Sequence, residues 1–465
     1  MPRCCCFLVG EEGFEPSQTE SESVVLPLHN SPISFLHREA FSRVLYYYSE
    51  AGGVCQHPFL KKIYAPLFSK PIDKKGAAGL LLNYKLKIKK TRLAFLLWRA
   101  VKRGYAKMKR RVGILTSGGD CPGLNATIRG VAKALYERMG DDVEIIGIMN
   151  GYQGLIDGDW RVMEPREFSG ILTVGGTILG TKRTPFKLMR VVGDDKVDKV
   201  AAMKKNYKEM KLDCLLCLGG NGTHKTANLL AQEGLNIIGL PKTIDNDIYG
   251  TDVTFGFHTA VDIATEVIDR IHTTAGSHSR CMVVEIMGNK AGWLTLYSGI
   301  AGGADIILIP ELPYTIENVC AAVEKRAKEG KAFSIIAVAE GVYDAEEARM
   351  KKKERAAKRA AAGERTATNR IARQIEEMTG CETRVCVPGH MQRGGSPSAY
   401  DRVLATRFGT YAAKLVAHEH YGVTVAMVNG HVTENPLEEI AGKSRLVPDG
   451  HGMLEVARSM GVCLG

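Results

Sequence analysis

The feature of this sequence that most constrains its fold is a unit that recurs from residue 110 onward. Each unit has a short apolar run, a glycine-rich turn and a segment with helical spacing. The apolar runs are residues 112–116, 213–218, 235–240, 281–286, 334–339 and 383–387. Helices are predicted over residues 126–139, 226–233 and 294–301, with a further helix running through residue 416. Strands that alternate with helices in this way predict an α/β protein built on parallel sheets, with helices on both faces.

Composition and charge limit the kinds of macromolecule or surface that residues 108–465 are expected to bind. Hydrophobic residues make up 45% and charged residues 24% of the 465 positions, as in ordinary globular proteins. Of the net charge of +11, residues 1–107 carry +9, from 17 Lys/Arg and 8 Asp/Glu. Because the remainder is nearly neutral, we expect neither a nucleic-acid nor a membrane partner for it. No apolar run reaches the roughly 18 residues of a membrane-spanning helix.

Residues 1–107 do not have the pattern of a domain. No period is sustained across them, and Met108 stands a few residues before the first clear strand. We interpret this leader as a disordered appendage or an artefact of upstream translation. A basic amphipathic helix over residues 79–107, touching a membrane or an acidic partner, is the alternative hypothesis.

Three other patterns carry no predicted chemistry. Cys214 and Cys217 lie in an apolar run without a second CxxC or a His pair, so strand packing is favoured over a metal site. Residues 345–362 are dense in Lys, Glu, Arg and Ala, which predicts an exposed helix or helical hairpin. Residues 434–465 offer no motif.

The 12 cysteines are irregularly spaced, which favours free thiols and a cytoplasmic protein.

The strongest candidate for chemistry is the loop after the apolar run 235–240. Pro241 ends the strand, and ligands of open α/β sheets bind at the carboxyl ends of strands. Asp245 and Asp247 are two residues apart, so an extended loop can place both carboxylates on one side. One can accept a proton from a hydroxyl nucleophile while the other orients water or a metal ion. For this loop alone, an Asx-rich surface turn is the simpler alternative.

Glycine turns and basic side chains near other strand ends predict a phosphate-binding site. Residues 117–125 and 219–223 join a strand to a helix, where backbone N–H groups and the helix N-terminus can hold phosphate oxygens. Neither turn matches a P-loop or a dinucleotide fingerprint, and either alone is more often structural. Together with the aspartates they favour phosphoryl transfer. Basic residues that could clamp a sugar phosphate are Arg183, Arg280, Arg384, His390 and Arg393.

Five segments together resemble the 6-phosphofructokinase family. They are SGGDCPGLN at residues 117–125, GGNGT at 219–223, PKTIDND at 241–247, MG at 287–288 and GHMQRGGSP at 389–397. They occur in the family's order and cover essentially all of residues 110–430. Five motifs in register make this a far more specific match than one glycine turn. The resemblance is to the bacterial type of this family.

The resemblance implies two Rossmann-like three-layer α/β/α domains with the active site in the cleft between them. Residues 108–256 with about 392–442 would form the domain for the phosphoryl donor. Residues 257–391 with the C-terminal residues would form the sugar-phosphate domain. The implied reaction is glycolytic: phosphoryl transfer to the 1-hydroxyl of fructose 6-phosphate, giving fructose 1,6-bisphosphate.

The resemblance also implies roles for single residues. Asp245 would be the base, with Thr243 and Asp247 beside it, and Arg183 would stabilise the transferring group. The implied donor positions are Gly118, Arg183, Thr184, Gly220, Asn221, Gly222 and Thr223. The implied sugar-phosphate positions are Thr243, Asp245, Met287, Gly288, Glu340, His390 and Arg393. Arg280 and Arg384 match positions that reach in from a neighbouring subunit, which implies a homo-oligomer, either a dimer or a tetramer.

Four positions bear on the metal ion and the donor. Asn221 stands where the family usually has an Asp that helps to hold Mg²⁺, and an amide oxygen should bind the ion more weakly; Asp247 is a second possible ligand. Gly222 goes with ATP, whereas Lys242 is typical of members that use pyrophosphate. Members that combine the two are generally ATP-dependent, so ATP is predicted. The alternatives are pyrophosphate as donor or, because of Asn221, a low-activity or non-catalytic sugar-phosphate-binding protein.

Overall fold

The structure is a computed structural model that describes residues 109–192 and 197–465. The predictions for the leader, residues 1–107, lie outside the described residues. None of the helices in the described ranges is long and apolar enough to cross a membrane.

The strands of the described residues form two sheets. In chain order they are β1 (Arg110–Ser117), β2 (Val143–Ile148), β3 (Trp160–Met163), β4 (Cys214–Gly219), β5 (Ile237–Pro241), β6 (Cys281–Ile286), β7 (Ile306–Leu308), β8 (Ser334–Ala339), β9 (Thr383–Cys386), β10 (Val423–Val428) and β11 (His431–Pro436). The larger sheet has the order β11-β10-β5-β4-β1-β2-β3, and the smaller sheet has the order β7-β8-β6-β9. The smaller sheet is parallel throughout, whereas β3 and β11 run antiparallel to their neighbours in the larger one. All six predicted strands are present.

Helices connect the strands. The α-helices of the described residues are α1 (Leu124–Met139), α2 (Tyr152–Asp157), α3 (Lys199–Glu209), α4 (Asn221–Gln232), α5 (Phe257–His278), α6 (Trp293–Ala301), α7 (Ile316–Lys328), α8 (Ala345–Ala348), α9 (Lys352–Ala361), α10 (Thr368–Thr379), α11 (Ala399–Ala417), α12 (Leu437–Ile440) and α13 (Gly452–Ser459). The helix predicted over residues 226–233 begins five residues earlier, at Asn221.

Buried side chains on both faces of the strands produce the layered core. Cys214 and Cys217 of β4 are both fully buried and belong to different hydrophobic clusters, because residues three apart on a strand point to opposite faces. Both are free thiols, so the prediction of strand packing is confirmed. One cluster contains side chains from both sheets, for example Ile114 and Val284. The two sheets therefore share part of a single core.

Helices α1 and α11 pack against each other at backbone distance. A Cβ atom added at Gly409 would lie 2.5 Å from the carbonyl oxygen of Thr127, and one added at Gly130 would lie 3.0 Å from that of Thr406. Only glycine permits such an approach. This contact ties the helix that follows the first glycine turn to the helix that follows residues 389–397.

The charged stretch at residues 345–362 is a helical pair, as predicted, but it is not solvated throughout. Glu347 has no exposed side-chain area and pairs with Arg359 at 2.7 Å and with Arg370 at 2.9 Å. The prediction of an entirely exposed face was therefore wrong at Glu347. Its carboxylate faces inward because two guanidinium groups are there to receive it.

Candidate active site

Three turns meet at one edge of the larger sheet. Ser117 of β1 pairs with Gly219 of β4, and Gly219 pairs with Pro241 of β5. Since neighbouring strands lie about 4.8 Å apart, the three turns begin within roughly 10 Å of one another. The two glycine turns and the aspartate-containing loop, which the sequence presented separately, therefore share one site.

The first turn is tied to the segment that carries Arg183. The Thr181 hydroxyl donates to the carbonyl oxygen of Gly118 at 2.7 Å, and the Thr116 hydroxyl donates to that of Gly180 at 2.8 Å. Gly118 itself has a φ of 86°, a left-handed conformation that favours glycine. These bonds bring Arg183 to the same edge, with its side chain exposed.

The second turn is shorter than predicted, because Asn221 is already the first residue of α4 and Gly220 is its N-cap. Asn221, Gly222 and Thr223 therefore lie in the first helical turn, where N–H groups lack intrahelical acceptors and carry partial positive charge. That turn contains no acidic residue. A Cβ atom at Gly222 would meet no atom of the described residues within 4 Å. The helix N-terminus is thus open to an anion.

Residues 242–248, termed here the aspartate loop, turn at Asn246 instead of running extended as predicted. Asn246 has a φ of 50°, and its side-chain oxygen accepts a bond from the N–H of Thr254 at 3.0 Å. The Thr254 hydroxyl donates to the carbonyl oxygen of Thr243 at 2.7 Å. The N–H of Asp245 donates to the Thr243 hydroxyl at 3.1 Å. These bonds fix the backbone that presents Asp245 and Asp247.

The two carboxylates differ in their partners. Asp247 Oδ2 accepts a bond from Asn221 Nδ2 at 2.8 Å; burial, followed by the charge of Asp245, raises its pKa to about 7. Asp245 Oδ1 is buried and has no hydrogen-bond partner among the described residues. Burial raises the pKa of Asp245, against the opposing charges of Arg393 and Lys242. A carboxylate with an unoccupied oxygen and a raised pKa is suited to accept a proton.

Lys242 lies between the first turn and the aspartate loop. Its side chain is buried, with 3% of the residue exposed, and Nζ donates to the carbonyl oxygen of Gly119. Burial lowers the pKa of Lys242, while the nearby Cys121 and Asp245 favour the charged form. The ammonium group therefore holds the backbone of the first glycine turn at Gly119.

The smaller sheet contributes the opposite wall. Met287 and Gly288 follow β6, and Glu340 follows β8. Glu340 Oε1 accepts a bond from the N–H of Asn289 at 2.8 Å. Burial raises the pKa of Glu340, and the charge of Asp245 adds to this effect. Glu340 therefore lies within electrostatic reach of the aspartate loop.

A 3₁₀ helix, Gly389–Arg393, joins the two walls. Arg393 Nη1 donates to the carbonyl oxygen of Asp120 at 3.2 Å, beside the first glycine turn. Gln392 is fully buried, and its Oε1 accepts a bond from the N–H of Met287 at 3.1 Å. His390 is exposed. The sequence pointed to His390 and Arg393 but gave no signal for Gln392.

The structure does not bring Arg280 and Arg384 to this edge. Arg280 precedes β6, whereas Met287 follows it, and seven extended residues span roughly 20 Å. Both arginines instead contact Glu382, with Arg280 Nη2 at 3.0 Å from Glu382 Oε1. Within one chain they lie at the opposite end of the smaller sheet.

Two residues of the site come from the C-terminal stretch, which offered no motif. Asn221 Nδ2 donates to Ser444 Oγ at 3.3 Å, and the N–H of Arg445 donates to the carbonyl oxygen of Asp247 at 2.8 Å. The partners are about 200 residues apart in sequence. No local pattern could have predicted these contacts, because they depend on how the chain returns to the site.

The site also suits a magnesium ion held mainly by a ligand. The described residues contain no group of three His, Cys, Asp or Glu side chains that could hold a metal ion. The Asn221 amide and the Asp247 carboxylate do lie together, and the amide nitrogen already donates to Asp247, so its oxygen remains. Mg²⁺ is usually held by one or two protein oxygens and by substrate phosphates. The residues present fit that arrangement.

An open helix N-terminus, a glycine turn and a buried carboxylate with an unoccupied oxygen together define a phosphoryl-transfer site in an α/β protein. The chain belongs to the phosphofructokinase family, whose sequence profile matches residues 111–416. The resemblance noted from the sequence is thereby confirmed.

Relatives and solved structures agree with this assignment. A Spirochaeta thermophila protein named ATP-dependent 6-phosphofructokinase is 58% identical over 77% of this chain and 98% of its own length. ATP-dependent 6-phosphofructokinase 3 of Bacteroides thetaiotaomicron is 50% identical over 76% of this chain and 100% of its own. The T-state phosphofructokinase of Pichia pastoris matches with a TM-score of 0.62 and 31% identity, over 72% of this chain and 35% of its own.

A fourth similarity concerns the fold alone. A pyrophosphate-dependent phosphofructokinase from Marinobacter aquaeolei matches with a TM-score of 0.62 at 19% identity, over 77% of this chain and 88% of its own. With the Pichia structure, it confirms the predicted fold class.

Proposed function

We propose that this chain is an ATP-dependent 6-phosphofructokinase of glycolysis. It transfers the terminal phosphoryl group of ATP to the 1-hydroxyl of D-fructose 6-phosphate and gives fructose 1,6-bisphosphate and ADP. The observation that carries the proposal is the buried Oδ1 of Asp245, which has no hydrogen-bond partner among the described residues and lies at the edge where the glycine turns meet. Relatives that are 44–58% identical are named for this activity.

Asp245 is the base of the reaction. As the 1-hydroxyl oxygen attacks the terminal phosphorus of ATP, its proton passes to the Asp245 carboxylate. The bond between that phosphorus and the bridging oxygen breaks, and ADP leaves with the bond's electron pair. Thr243 holds the backbone of Asp245 through the bond of 3.1 Å, and Asp247 completes the loop.

The donor binds to the larger sheet, in a domain made of residues 108–256 and about 392–442. Backbone groups at Gly118 and at Gly220, Gly222 and Thr223 hold its phosphates at the glycine turn and the helix N-terminus. Thr184 is assigned to the same donor site. Arg183, which is exposed at this edge, stabilises the phosphoryl group in transfer.

The sugar phosphate binds to the smaller sheet, in a domain made of residues 257–391 and the C-terminal residues. Met287, Gly288 and Glu340 hold the sugar, and His390 and Arg393 hold its phosphate.

The enzyme is a homo-oligomer, a dimer or a tetramer, in which Arg280 and Arg384 serve a neighbouring subunit's site. Their place at the far end of the smaller sheet, roughly 20 Å of extended strand from Met287, supports this role. Within the chain the two guanidinium groups share Glu382, which holds both on the same surface.

Mg²⁺ accompanies ATP. Asn221 and Asp247 would hold the ion together with the donor's phosphate oxygens, and the ion supplies positive charge that offsets the charge of the phosphates. Because Asn221 lacks the charge of an Asp, the protein's share of this binding is small. The proposed location is the cytoplasm; the described cysteines, all of them free thiols, are compatible with it.

Two observations favour ATP over pyrophosphate. The space next to Gly222 is open to 4 Å, which leaves room for a nucleotide. The ammonium of Lys242 is bonded to the carbonyl oxygen of Gly119 and buried, so it is engaged by the protein's own backbone. Pyrophosphate remains the alternative donor, and a non-catalytic sugar-phosphate-binding protein remains the alternative class because of Asn221.

A steady-state assay of the whole chain tests the proposal. Fructose 6-phosphate and Mg²⁺ are supplied with ATP or pyrophosphate, and product formation is compared with that of Asp245→Ala and of Asp269→Asn, a control on the exposed surface of α5. We expect turnover with ATP that Asp245→Ala abolishes and Asp269→Asn preserves. Turnover with pyrophosphate alone would overturn the donor assignment. Binding of fructose 6-phosphate without turnover would favour the non-catalytic alternative.

A further inference from the structure

The segment at residues 443–447, termed here the C-terminal strap, lies between the aspartate loop and the smaller sheet's wall. It follows α12 and contributes Ser444 and Arg445. Ser444 forms an isolated antiparallel bridge with Ile248, the last residue of the aspartate loop. The strap thus extends the loop by one short strand-like contact.

Arg445 contacts two consecutive carbonyl groups of the aspartate loop, that of Asn246 at the turn and that of Asp247 directly after it. Its N–H donates to the carbonyl oxygen of Asp247 at 2.8 Å, and its Nη1 donates to that of Asn246 at 3.4 Å. Asn246 is the residue with the left-handed backbone, which a non-glycine residue adopts at some energetic cost. The arginine therefore holds the turn that sets the directions of Asp245 and Asp247.

The same arginine contacts the opposite wall. Its guanidinium carbon lies 3.9 Å from the ring centroid of Trp293, and Trp293 Nε1 donates to the carbonyl oxygen of Arg445 at 3.0 Å. Trp293 is buried, with 1% exposed, and begins α6, five residues after Gly288. A cation against an indole face is attracted by the electrons of the ring, and more strongly when it is desolvated.

A third bond fixes the strap to the smaller sheet. The N–H of Val447 donates to Glu311 Oε1 at 2.9 Å, and the same carboxylate accepts the N–H of Gly292 at 2.9 Å, directly before Trp293. Glu311 therefore joins the strap to the start of α6. The strap is held at one end by the sugar-side wall and at the other by the aspartate loop.

Burial lowers the pKa of Arg445. Within the described residues, its guanidinium group forms no ion pair with a carboxylate. Its backbone N–H and its Nη1 donate to carbonyl oxygens, and its guanidinium group lies over the ring of Trp293. A guanidinium group used in this way fixes geometry through its planar fork instead of neutralising charge. This leaves the aspartate carboxylates without a direct cationic partner from the strap.

We propose that Arg445 is a positioning residue that couples the sugar-phosphate wall to the direction of the catalytic carboxylate. The inference rests on the proposed function. Arg445 touches no reacting atom; its guanidinium group holds the carbonyl group of Asn246 against the ring of Trp293 and so fixes the turn that directly precedes Asp247. Because rates respond by about 10²-fold to a displacement of 1 Å, loss of this side chain should lower kcat more than it changes substrate binding.

The test is the kinetics of Arg445→Ala in the whole chain, with ATP, Mg²⁺ and fructose 6-phosphate. We expect kcat to fall about 10- to 100-fold while KM for both substrates stays within about threefold. Lys443→Ala is the matched control, because Lys443 belongs to the strap and its ammonium group lies 5.1 Å from the ring centroid of Tyr249, without a hydrogen bond or ion pair to the described residues. Its kcat should equal that of the unmodified chain.

Two further variants distinguish positioning from loss of structure. Arg445→Lys keeps a cation over Trp293 without the fork, so its kcat should lie between those of the unmodified chain and Arg445→Ala; it also serves if Arg445→Ala does not fold. Trp293→Phe combined with Arg445→Ala should lower kcat by less than the product of the single effects, since both changes break one contact.

The outcomes separate the inference from the proposed function. No turnover by the unmodified chain with either donor overturns both. Turnover by the unmodified chain, with kcat of Arg445→Ala or of folded Arg445→Lys unchanged within twofold, overturns the inference alone. A rise in KM without a fall in kcat also overturns it, because that would make Arg445 a binding residue.

Discussion

Two clusters of buried carboxylates in this chain are arranged in opposite ways. Glu347 is fully buried between Arg359 and Arg370; burial alone would raise its pKa, but the bonds and charges of the two arginines outweigh burial and lower the pKa to about 2. In the aspartate loop, Asp247 has an amide donor and a neighbouring carboxylate, and its pKa rises to about 7. Asp245 Oδ1 has no partner among the described residues.

The difference shows what pairing does to a buried acid. At Glu347 the charge is compensated by two fixed cations, so the carboxylate stays ionised and joins α8 to α9 and α10. In the aspartate loop, compensation is incomplete, so the charged form is less favourable and a proton binds more readily. The first arrangement suits structure, and the second suits proton transfer.

The largest expected effect is on stability, at the paired cluster. Glu347→Gln leaves Arg359 without an acidic partner among the described residues, whereas Arg370 keeps its ion pairs with Asp344 and Glu364. The free energy of unfolding should fall by about 3–5 kcal/mol, because a buried guanidinium group is left uncompensated. Urea denaturation measures this. The matched control is Lys358→Ala, which breaks the exposed pair with Glu346 and should change stability by less than about 1 kcal/mol. Equal losses in the two variants would erase the contrast between paired burial and surface pairing.

A second effect is an opposite response to pH, measured by urea denaturation in the presence of a chelator. Glu347 has its pKa lowered from 4.5 to about 2, so the stability it contributes is present above pH 4.5 and is lost as pH falls towards 2. Asp247 has its pKa raised from 3.8 to about 7. Its folded state therefore binds the extra proton between these values, and stability falls as pH rises through that window.

Two variants measure what each carboxylate contributes to the pH dependence of stability. The deficit of Glu347→Gln relative to the unmodified chain should shrink below pH 4.5. The gain of Asp247→Asn should grow between pH 4 and pH 7 and stay constant above it. Parallel pH curves for the two variants would mean that the carboxylates do not differ in the way the structure indicates.

The smallest expected effect concerns the metal ion. Asn221→Asp adds a carboxylate beside Asp247, so the Mg²⁺ concentration for half-maximal activity should fall, on the order of fivefold, since a unit charge pair at 4 Å contributes about 1 kcal/mol in a solvated site. A magnesium titration of the steady-state rate measures this. If Asn221→Asp leaves the Mg²⁺ requirement unchanged, the ion binds away from residue 221. The control Asn221→Ala should leave the requirement unchanged or raise it.

The sequence predicted the features that depend on local pattern. The apolar runs identified the strands because strands buried on both faces have a continuous hydrophobic sequence. The spacing of Asp245 and Asp247 identified the loop. The start of α4 was misplaced because Asn221 and Gly222 have turn character, although as an N-terminal helical turn they leave N–H groups free.

Features that depend on distant parts of the chain could not be predicted. Glu347 lies in a uniform charge run, and only the return of Arg370 from the next helix makes its position buried. Arg445 and Ser444 lie in a stretch without a motif, and they reach the aspartate loop through the path of the C-terminal strap. Such contacts have no signature within a short window of sequence.

The central claim is that the unpaired carboxylate of Asp245 takes the proton of the attacking hydroxyl. Its most direct test measures binding and chemistry on the same protein: calorimetric affinity of Asp245→Asn for fructose 6-phosphate, and its single-turnover rate with ATP and Mg²⁺. We predict affinity within about threefold of the unmodified chain and a rate lower by about 10²- to 10⁴-fold. A rate within tenfold, at unchanged affinity, would contradict the claim and require another group as the base.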